Sequence, residues 1–303
     1  MSEERKTQSP PTSRALAVLE ALTKAPIGGL SLSEVARAVG LSTSTTAAIL
    51  ATMDDAGYVE RLPDKGYRLG SGPLKLVGAL RVRYPLLGAA DPELSRLSAL
   101  TGGGSTLTQI NDNDLEVILT AGRVEEFVTR IGHRLPLYPP YGTVPMAWSS
   151  PKRVNEWLFS APDPMTAEEI EAQRDTLAGV KERGYAVYNI KQDVRSMVEQ
   201  IRDLLTSADE HAPSDVLRRL QVGAVTGIGI YSTAELADRR RRPVSYVMAP
   251  VFGPDQQPRY LVALHVMADA LPAGDLDNYI EAILQTAKTL TRAAGGRWPK
   301  SGR

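Results

Sequence analysis

The stretch that decides the fold spans residues 30–70, LSLSEVARAVGLSTSTTAAILATMDDAGYVERLPDKGYRLG. Either Ser31 or Ser33 can cap the start of a short helix, because a hydroxyl oxygen accepts from the free backbone N–H groups there. Gly40 suits the left-handed residue that ends such a helix. Ser42 can then cap a second helix. The order predicts two short helices joined by a tight turn.

A β-hairpin is expected directly after the second helix, which Gly57 ends. Residues 58–61 and 67–69 are strand-like, and Pro63-Asp64-Lys65-Gly66 between them has the composition of a turn. Helix, short helix, turn, helix and hairpin is the order of a winged helix-turn-helix. A small helical domain used only for protein contacts is the alternative, but the hairpin and the turn glycines favour DNA binding.

The second helix of the pair is expected to point a face of small side chains at a DNA groove. We predict that this face consists of Ser42, Thr43, Ser44, Thr46 and Ala47, and that the inward residues are Thr45, Ile49, Leu50 and Met53. Basic side chains of the hairpin would contact phosphates beside the groove. These are Arg61, Lys65 and Arg68.

The regions on either side complete an N-terminal domain over residues 13–72. Residues 1–12 are polar and predict a disordered tail. A first helix capped by Ser13 would bury Ala15, Leu16, Leu19 and Leu22. A linker helix over 73–86 is apolar on much of its surface, which is typical of a helix that packs on a partner subunit.

Beyond Gly104 the pattern changes to the alternation of β-strands. We predict strands at 105–110 and 115–122, a shorter strand from Phe127 to Ile131, and buried strands at 245–252 and 259–267. Helices are expected from about Pro151, over 166–183 and 193–205, and over 275–294. The sequence therefore predicts an α+β ligand-binding domain with a mixed sheet over residues 87–298.

Composition excludes several classes of protein. The chain of 303 residues is long enough for two domains, and it has no cysteine, which excludes disulfides and thiolate chemistry. No apolar run is long enough to cross a membrane, and the polar N-terminal segment lacks a secretory signal, so we expect a cytoplasmic protein. Residues 1–84 carry 11 basic and 8 acidic side chains, an excess too small to establish nucleic-acid binding by itself.

The sequence offers no arrangement of catalytic residues. The three histidines, His133, His211 and His265, are far apart and lack metal-ligand spacing, so we expect neither a metal nor a cofactor. No Ser–His–Asp set or carboxylate pair can be argued. A hydrolase or transferase whose N-terminal helices serve only dimerisation is the alternative to a DNA-binding protein without enzymatic activity.

Together these segments resemble the IclR family of bacterial transcriptional regulators, in motif and in order along nearly the whole chain. The segments that show the resemblance are RALAVLEAL at residues 14–22, the stretch 30–46, AGYVERLPDKGYRLG at 56–70, KERGYAV at 181–187 and APVF at 249–252. The resemblance implies a winged helix-turn-helix, a linker helix and a GAF-like α/β effector-binding domain. It also implies dimers or tetramers that bind double-stranded operator DNA and respond to a small, often carboxylate-bearing, metabolite.

The chain departs from this family in its recognition helix. Many members have a basic residue early in that helix and an arginine further along, where this chain has Thr43 and Ala48. Arg14 and the hairpin would then contribute more of the phosphate contacts. A regulator that has lost DNA affinity is a third possibility.

The chain also departs from the family at the expected effector site. The loop YPPYGTVPMAW at 138–148 places Trp148 where small residues are usual, and bulkier residues stand on the last strands. These changes imply a less polar pocket, suited to an aromatic or hydrophobic ligand. We predict that it is formed by Tyr141, Gly142, Thr143, Met146, Tyr246, His265 and Met267.

Overall fold

The computed structural model describes residues 9–23, 25–26, 28–123, 131–190 and 228–299. The chain divides into two compact units, Met1–Arg83 and Tyr84–Arg303. The predicted helix over 193–205 and the strand predicted from Phe127, apart from its last residue, lie outside the described residues.

The first unit has the predicted order of elements. They are α1 (Pro10–Thr23), α2 (Leu32–Ala38), α3 (Thr43–Asp55), β1 (Val59–Arg61), β2 (Tyr67–Leu69) and α4 (Gly72–Arg83). Ser31 and Ser42 cap α2 and α3 through their side-chain oxygens, which accept from the N–H groups of Glu34 and Thr45. The local signals of the sequence therefore set the bounds of both helices.

Two expectations about α1 are wrong. Residues 10–12 were predicted to belong to a disordered tail, but the helix includes them. Proline fits the first turn of a helix, because its missing N–H has no hydrogen-bond partner to lose there. Leu16, predicted to be buried, is 56% exposed, whereas Val18 is fully buried. The core of this unit joins Val18 to Val35 and Leu50 of the helices and to Val59 of the hairpin.

Close backbone contacts fix the base of the hairpin against the end of α3. The N–H of Gly72 donates to the carbonyl oxygen of Gly57 at 2.7 Å. A Cβ atom at Gly70 would lie 2.5 Å from that same oxygen, closer than carbon and oxygen approach without a shift of the backbone. Glycine is therefore required where α3, the hairpin and α4 meet.

The second unit is a seven-stranded sheet with helices on both faces. Its elements are α5 (Pro85–Thr101), β3 (Gly104–Ile110), β4 (Asp114–Gly122), β5 (Arg134–Pro136), α6 (Thr143–Met146), α7 (Pro151–Leu158), α8 (Ala167–Arg183), β6 (Ala186–Ile190), β7 (Ile228–Ile230), α9 (Thr233–Ala237), β8 (Arg242–Phe252), β9 (Pro258–Leu271) and α10 (Ala273–Ala293).

The strand order is β5-β4-β3-β9-β8-β6-β7. Every described pairing is antiparallel, so the prediction of a mixed sheet was wrong within the described part of the chain. The class α+β is confirmed. Alternation along single strands reports burial but carries no information on the direction of the neighbouring strand.

Each face of the sheet has its own hydrophobic core. One face packs on α5 and α10, where Leu94 and Leu290 meet Val247 and Val262. The other face packs on α6, α7 and α8, whose Val144, Trp157 and Val180 meet Leu261 among others. We refer to this second side as the α6–α8 face. No helix in the described ranges is long and apolar enough to cross a membrane.

Candidate functional site

The exposed side of α3 is made of small residues, but it differs from the predicted set. Thr43, Ser44 and Ala48 are exposed and Ala47 is half-buried. Thr46 is fully buried and donates its hydroxyl hydrogen to the carbonyl oxygen of Ser42 at 3.0 Å, so its predicted place on the DNA-facing side was wrong. It precedes Leu50 by four residues and therefore lies on the same buried side of the helix.

Two exposed residues further along α3 were missing from the predicted face. Ala51 and Thr52 follow Ser44 at helical spacing and extend the same side. The Thr52 hydroxyl donates to the carbonyl oxygen of Ala48 at 3.0 Å. Continuing the helical period from Ser44 would have identified both. The whole helix, TSTTAAILATMDD, contains no Lys, Arg, Asn or Gln.

The hairpin separates two of its three predicted phosphate-binding residues. Glu60 lies opposite Arg68 in the strand register and Arg61 lies opposite Tyr67. Since successive side chains of a strand point to opposite faces, Arg61 and Arg68 are on opposite faces of the hairpin. The Arg61 guanidinium carbon lies 5.9 Å from the centre of the Tyr67 ring. Lys65 is exposed in the turn, where it adopts a φ of 69°.

Arg68 is paired with a carboxylate on its own face of the hairpin. Its Nε and Nη2 atoms lie 3.0 and 2.9 Å from Oε2 of Glu60. Arg14, the remaining predicted phosphate contact, is exposed on α1. The first unit thus presents a helix face of small residues, an exposed cation at the hairpin turn, and one arginine on each hairpin face.

Helix α4 exposes large apolar side chains. Leu76, Val77 and Leu80, which share one side at spacings of three and four, are 51%, 43% and 46% exposed. Leu74 and Val82 are more exposed still. Within its unit α4 buries only Gly72. A helix this apolar is normally covered, so this side of α4 is a candidate contact surface.

Two predicted effector residues lie together on the α6–α8 face. Tyr246 and His265 are directly opposite in the register of β8 and β9, and their rings meet edge to face with centres 4.8 Å apart. His265 is 6% exposed, and burial lowers its pKa to about 4. Its Nε2 atom lies 3.5 Å from Oγ1 of Thr106, a residue that the alternation in β3 could have identified.

The predicted loop covers part of this face. Thr143 and Met146 are buried, and the Thr143 hydroxyl donates to the carbonyl oxygen of Pro140 at 2.7 Å. Burial raises the pKa of Tyr141 to about 12, and the nearby Tyr138 contributes a smaller shift in the same direction. Gly142 has a φ of 84°, and a Cβ atom there would lie 2.3 Å from a methyl carbon of Leu137. Met267 is half-buried with a φ of 49°.

A cavity of about 260 Å³ adjoins this loop, which lines it with Tyr138 and Met146. Met146 is the single member of the predicted effector set that lines it. The other lining residues come from the β3–β4 turn, from β5 and its loop, and from α7 and the residue two positions after it: Asp112, Asn113, Pro136, Leu137, Tyr138, Arg153, Glu156, Trp157 and Ser160. The structure therefore shows a cavity beside the predicted loop, whereas His265 is packed against Tyr246 and is 6% exposed.

A metal centre finds no support in the described segments. Among their side chains, no group of three or more His, Asp or Glu is placed to hold a metal ion. His211 lies outside these residues.

Comparison with known proteins adds family evidence for both units. Residues 11–63 match the model of the IclR helix-turn-helix domain. The chain is 29% identical to the HTH-type transcriptional regulator XynR of Escherichia coli, over 57% of this chain and 72% of that protein. It is 30% identical to the HTH-type transcriptional regulator Rv1719 of Mycobacterium tuberculosis, over 57% of this chain and 68% of that protein.

A solved structure shares the fold along almost the whole chain. An IclR homologue of Microbacterium hydrocarbonoxydans, crystallised with 4-hydroxybenzoate, aligns with a TM-score of 0.56. The alignment covers 94% of this chain and 99% of that chain at 18% sequence identity. The winged helix-turn-helix followed by a sheet domain is thus a known arrangement.

Proposed function

Because the chain belongs to the IclR family of transcriptional regulators, we propose that it binds double-stranded operator DNA through α3 and the β1–β2 hairpin. The observation that carries this proposal is the exposed side of α3, which holds small side chains from Thr43 to Thr52 before the exposed Asp54 and Asp55, in the same unit as three exposed hairpin cations. Such a face lets the helix backbone approach base edges closely in the major groove, while the cations contact phosphates. The protein would work in the cytoplasm, without enzymatic activity of its own.

The chemistry of α3 restricts how it would recognise bases. Arginine and lysine are the usual partners of guanine, and asparagine and glutamine those of adenine, yet α3 has none of these. Its exposed groups are the hydroxyls of Thr43, Ser44 and Thr52 and the methyl groups of Ala48 and Ala51, followed at the C-terminal end by the carboxylates of Asp54 and Asp55. We propose that it recognises bases by hydroxyl hydrogen bonds and by contact with thymine methyl groups.

Replacing the hairpin cations tests the proposed phosphate contacts. We expect Arg61→Ala, Lys65→Ala and Arg68→Ala each to weaken binding to every duplex sequence. Each lost contact should reduce the slope of log K against log salt by about 1, because one fewer phosphate is neutralised. Gel-shift titrations at several salt concentrations, with a duplex selected from a random library by the wild-type protein, measure this slope.

A substitution on α3 gives the contrasting result. Ser44→Ala should change which sequences are selected and leave the salt slope as it is in the wild type, because it removes a base contact and no charge. If all three hairpin variants keep the wild-type slope, the hairpin does not contact phosphates. If the Ser44→Ala variant selects the same duplex sequences as the wild type, the exposed side of α3 does not contact bases at that position.

For the second unit we propose an aromatic effector bound at the Tyr246–His265 surface under the loop of Tyr141 to Met146. The edge-to-face pair of rings would offer an aromatic contact, and His265, uncharged at neutral pH because its pKa is about 4, would accept or donate one hydrogen bond. Gly142, Thr143 and Met267 would complete the lining. The homologue crystallised with 4-hydroxybenzoate makes aromatic acids the first compounds to test.

A calorimetric screen separates this site from the cavity. The panel pairs 4-hydroxybenzoate and benzoate with saturated cyclohexane analogues, and we expect only aromatic members to bind. At a concentration 100 times its Kd, a compound that binds the folded protein raises its free energy of unfolding by about 2.7 kcal/mol. Tyr246→Ala should abolish that binding and Glu156→Ala, in the cavity lining, should preserve it. If Glu156→Ala abolishes binding and Tyr246→Ala preserves it, the effector binds in the cavity instead.

We propose further that the protein is a homodimer built on α4, and that pairs of dimers can form a tetramer. The support is the apolar side formed by Leu76, Val77 and Leu80, about half exposed in the single chain. A dimer presents two copies of α3 to two half-sites of an operator, about one helical turn or a multiple apart.

A further inference from the structure

The hairpin contains a carboxylate whose position bears directly on DNA affinity. Glu60 and Arg68 are direct cross-strand partners, so the register of β1 and β2 places their side chains together. Nε of Arg68 donates to Oε2 of Glu60 at 3.0 Å, and Nη2 lies 2.9 Å from the same oxygen as an ion pair. The two side chains are 46% and 52% exposed. The pair is thus open to any charged partner that reaches this face of the hairpin.

The other two hairpin cations have different surroundings. Arg61 packs over the ring of Tyr67. In the described segments neither Arg61 nor Lys65 has an ion pair with a carboxylate. The second acid of the hairpin, Asp64, uses Oδ1 to accept from the N–H of Gly66 at 3.2 Å, which stabilises the turn. Of the three predicted phosphate contacts, Arg68 therefore differs in having a carboxylate already bound.

A DNA phosphate and the Glu60 carboxylate would use the same donors. The N–H groups at Nε and Nη2 form the fork by which arginine recognises carboxylates and phosphates alike. The Glu60–Arg68 pair is about half exposed and therefore weak, so phosphate can displace Glu60. The displaced carboxylate then stays within the Debye length of about 8 Å from the phosphate and repels it.

We propose that Glu60 competes with DNA phosphate for Arg68 and so lowers the affinity of the protein for every duplex. This inference rests on the proposed placement of the hairpin against phosphates. Because the competition involves phosphate and no base, it acts equally on operator and non-operator DNA. Glu60 would therefore set how weakly the protein holds DNA in general, while α3 sets which sequence it prefers.

Glu60→Gln is the first test, since glutamine keeps the size of the side chain and removes its charge. We expect binding about twofold to fivefold tighter, the range of a released surface ion pair, both to a selected duplex and to a scrambled duplex of the same length. The salt slope should become steeper by less than about 1, because a negative charge is removed beside the phosphate that Arg68 already contacts in the wild type. Fluorescence anisotropy with labelled duplexes at four salt concentrations gives both quantities.

A double-mutant cycle with Arg68→Ala distinguishes competition from simple repulsion. In the wild type, Arg68→Ala removes a phosphate contact whose strength Glu60 has already reduced. In the Glu60→Gln background it removes the full contact, so the fold loss should be larger there. A loss equal in the two backgrounds means that Glu60 only repels DNA, and a smaller loss means that Glu60 orients Arg68. Either result overturns the proposal, as does a Glu60→Gln variant that binds no tighter than the wild type.

Asp64→Asn is the matched control. It removes one negative charge from the same hairpin, and its amide oxygen can still accept from Gly66. We expect it to leave the loss caused by Arg68→Ala unchanged, whereas a change equal to that of Glu60→Gln would overturn the proposal. The placement of the hairpin is tested separately by the single alanine variants. If those keep the wild-type salt slope, the placement fails; if they lose slope and only the cycle fails, the role of Glu60 alone is wrong.

Discussion

Leu80→Asp should convert the proposed dimer to a monomer and weaken operator binding by about 10²- to 10⁴-fold, the range over which two linked contacts exceed one. Leu80 is on the apolar side of α4 together with Leu76 and Val77, and it is 46% exposed in the single chain. In the proposed dimer that side is covered, and an aspartate there would be buried without a partner, which is strongly unfavourable. Light scattering and gel-shift titration measure the two effects.

Leu100→Asp is the control for this substitution. Leu100 lies on α5 and is also 46% exposed, so the change of residue and its exposure in the single chain are matched. We expect this variant to remain a dimer with wild-type DNA affinity. A wild-type protein that is monomeric in solution and still binds a palindromic duplex tightly would contradict the role given to α4, as would a Leu80→Asp variant that stays dimeric.

The stability of the second unit should fall as the pH decreases from about 6.5 to about 4, in part because of His265. Burial lowers the pKa of His265 in the folded protein to about 4, whereas an unfolded chain has the ordinary value near 6.5. Between these values the unfolded state binds a proton that the folded state does not. The contribution is fully present above pH 6.5 and is lost as the pH falls, by about 3 kcal/mol in total.

Urea unfolding of wild type and His265→Phe at several pH values measures this contribution. The phenyl ring can keep the edge contact with Tyr246 and carries no titrating group, so the difference between the two proteins should change by about 3 kcal/mol between pH 7 and pH 4. His265→Gln provides a second non-titrating variant in case phenylalanine disturbs the packing. Parallel stability curves for wild type and both variants would show that His265 is not held uncharged by burial.

Much of the DNA-binding unit followed from local signals in the sequence. The caps at Ser31 and Ser42 fixed the starts of α2 and α3 because capping is a hydrogen bond within three residues. The turn residues between β1 and β2 fixed the hairpin for the same reason. These predictions were confirmed because nothing beyond the segment itself decides them.

The errors in that unit have one physical origin. Which side of α1 and of α3 is buried depends on the elements that pack against them. Leu16 was predicted to be inside and is exposed, and Thr46 was predicted to face DNA and is fully buried. On an apolar helix with few charges, several sides satisfy the hydrophobic period, and only the neighbouring helices and the hairpin select one.

The order of elements in the helix-turn-helix and hairpin, the α+β class and the family resemblance were all predictable from the amino-acid pattern. The tertiary structure alone decided three things: the opposite faces of Arg61 and Arg68, the pairing of Arg68 with Glu60, and the contact of Tyr246 with His265. The first two depend on the register of the β1–β2 hairpin, which pairs residues eight positions apart and which the sequence analysis did not assign, and the third depends on the register of β8 and β9. The apolar pattern of one strand shows which of its residues are buried, whereas its register is set by the turn and by packing against the partner strand.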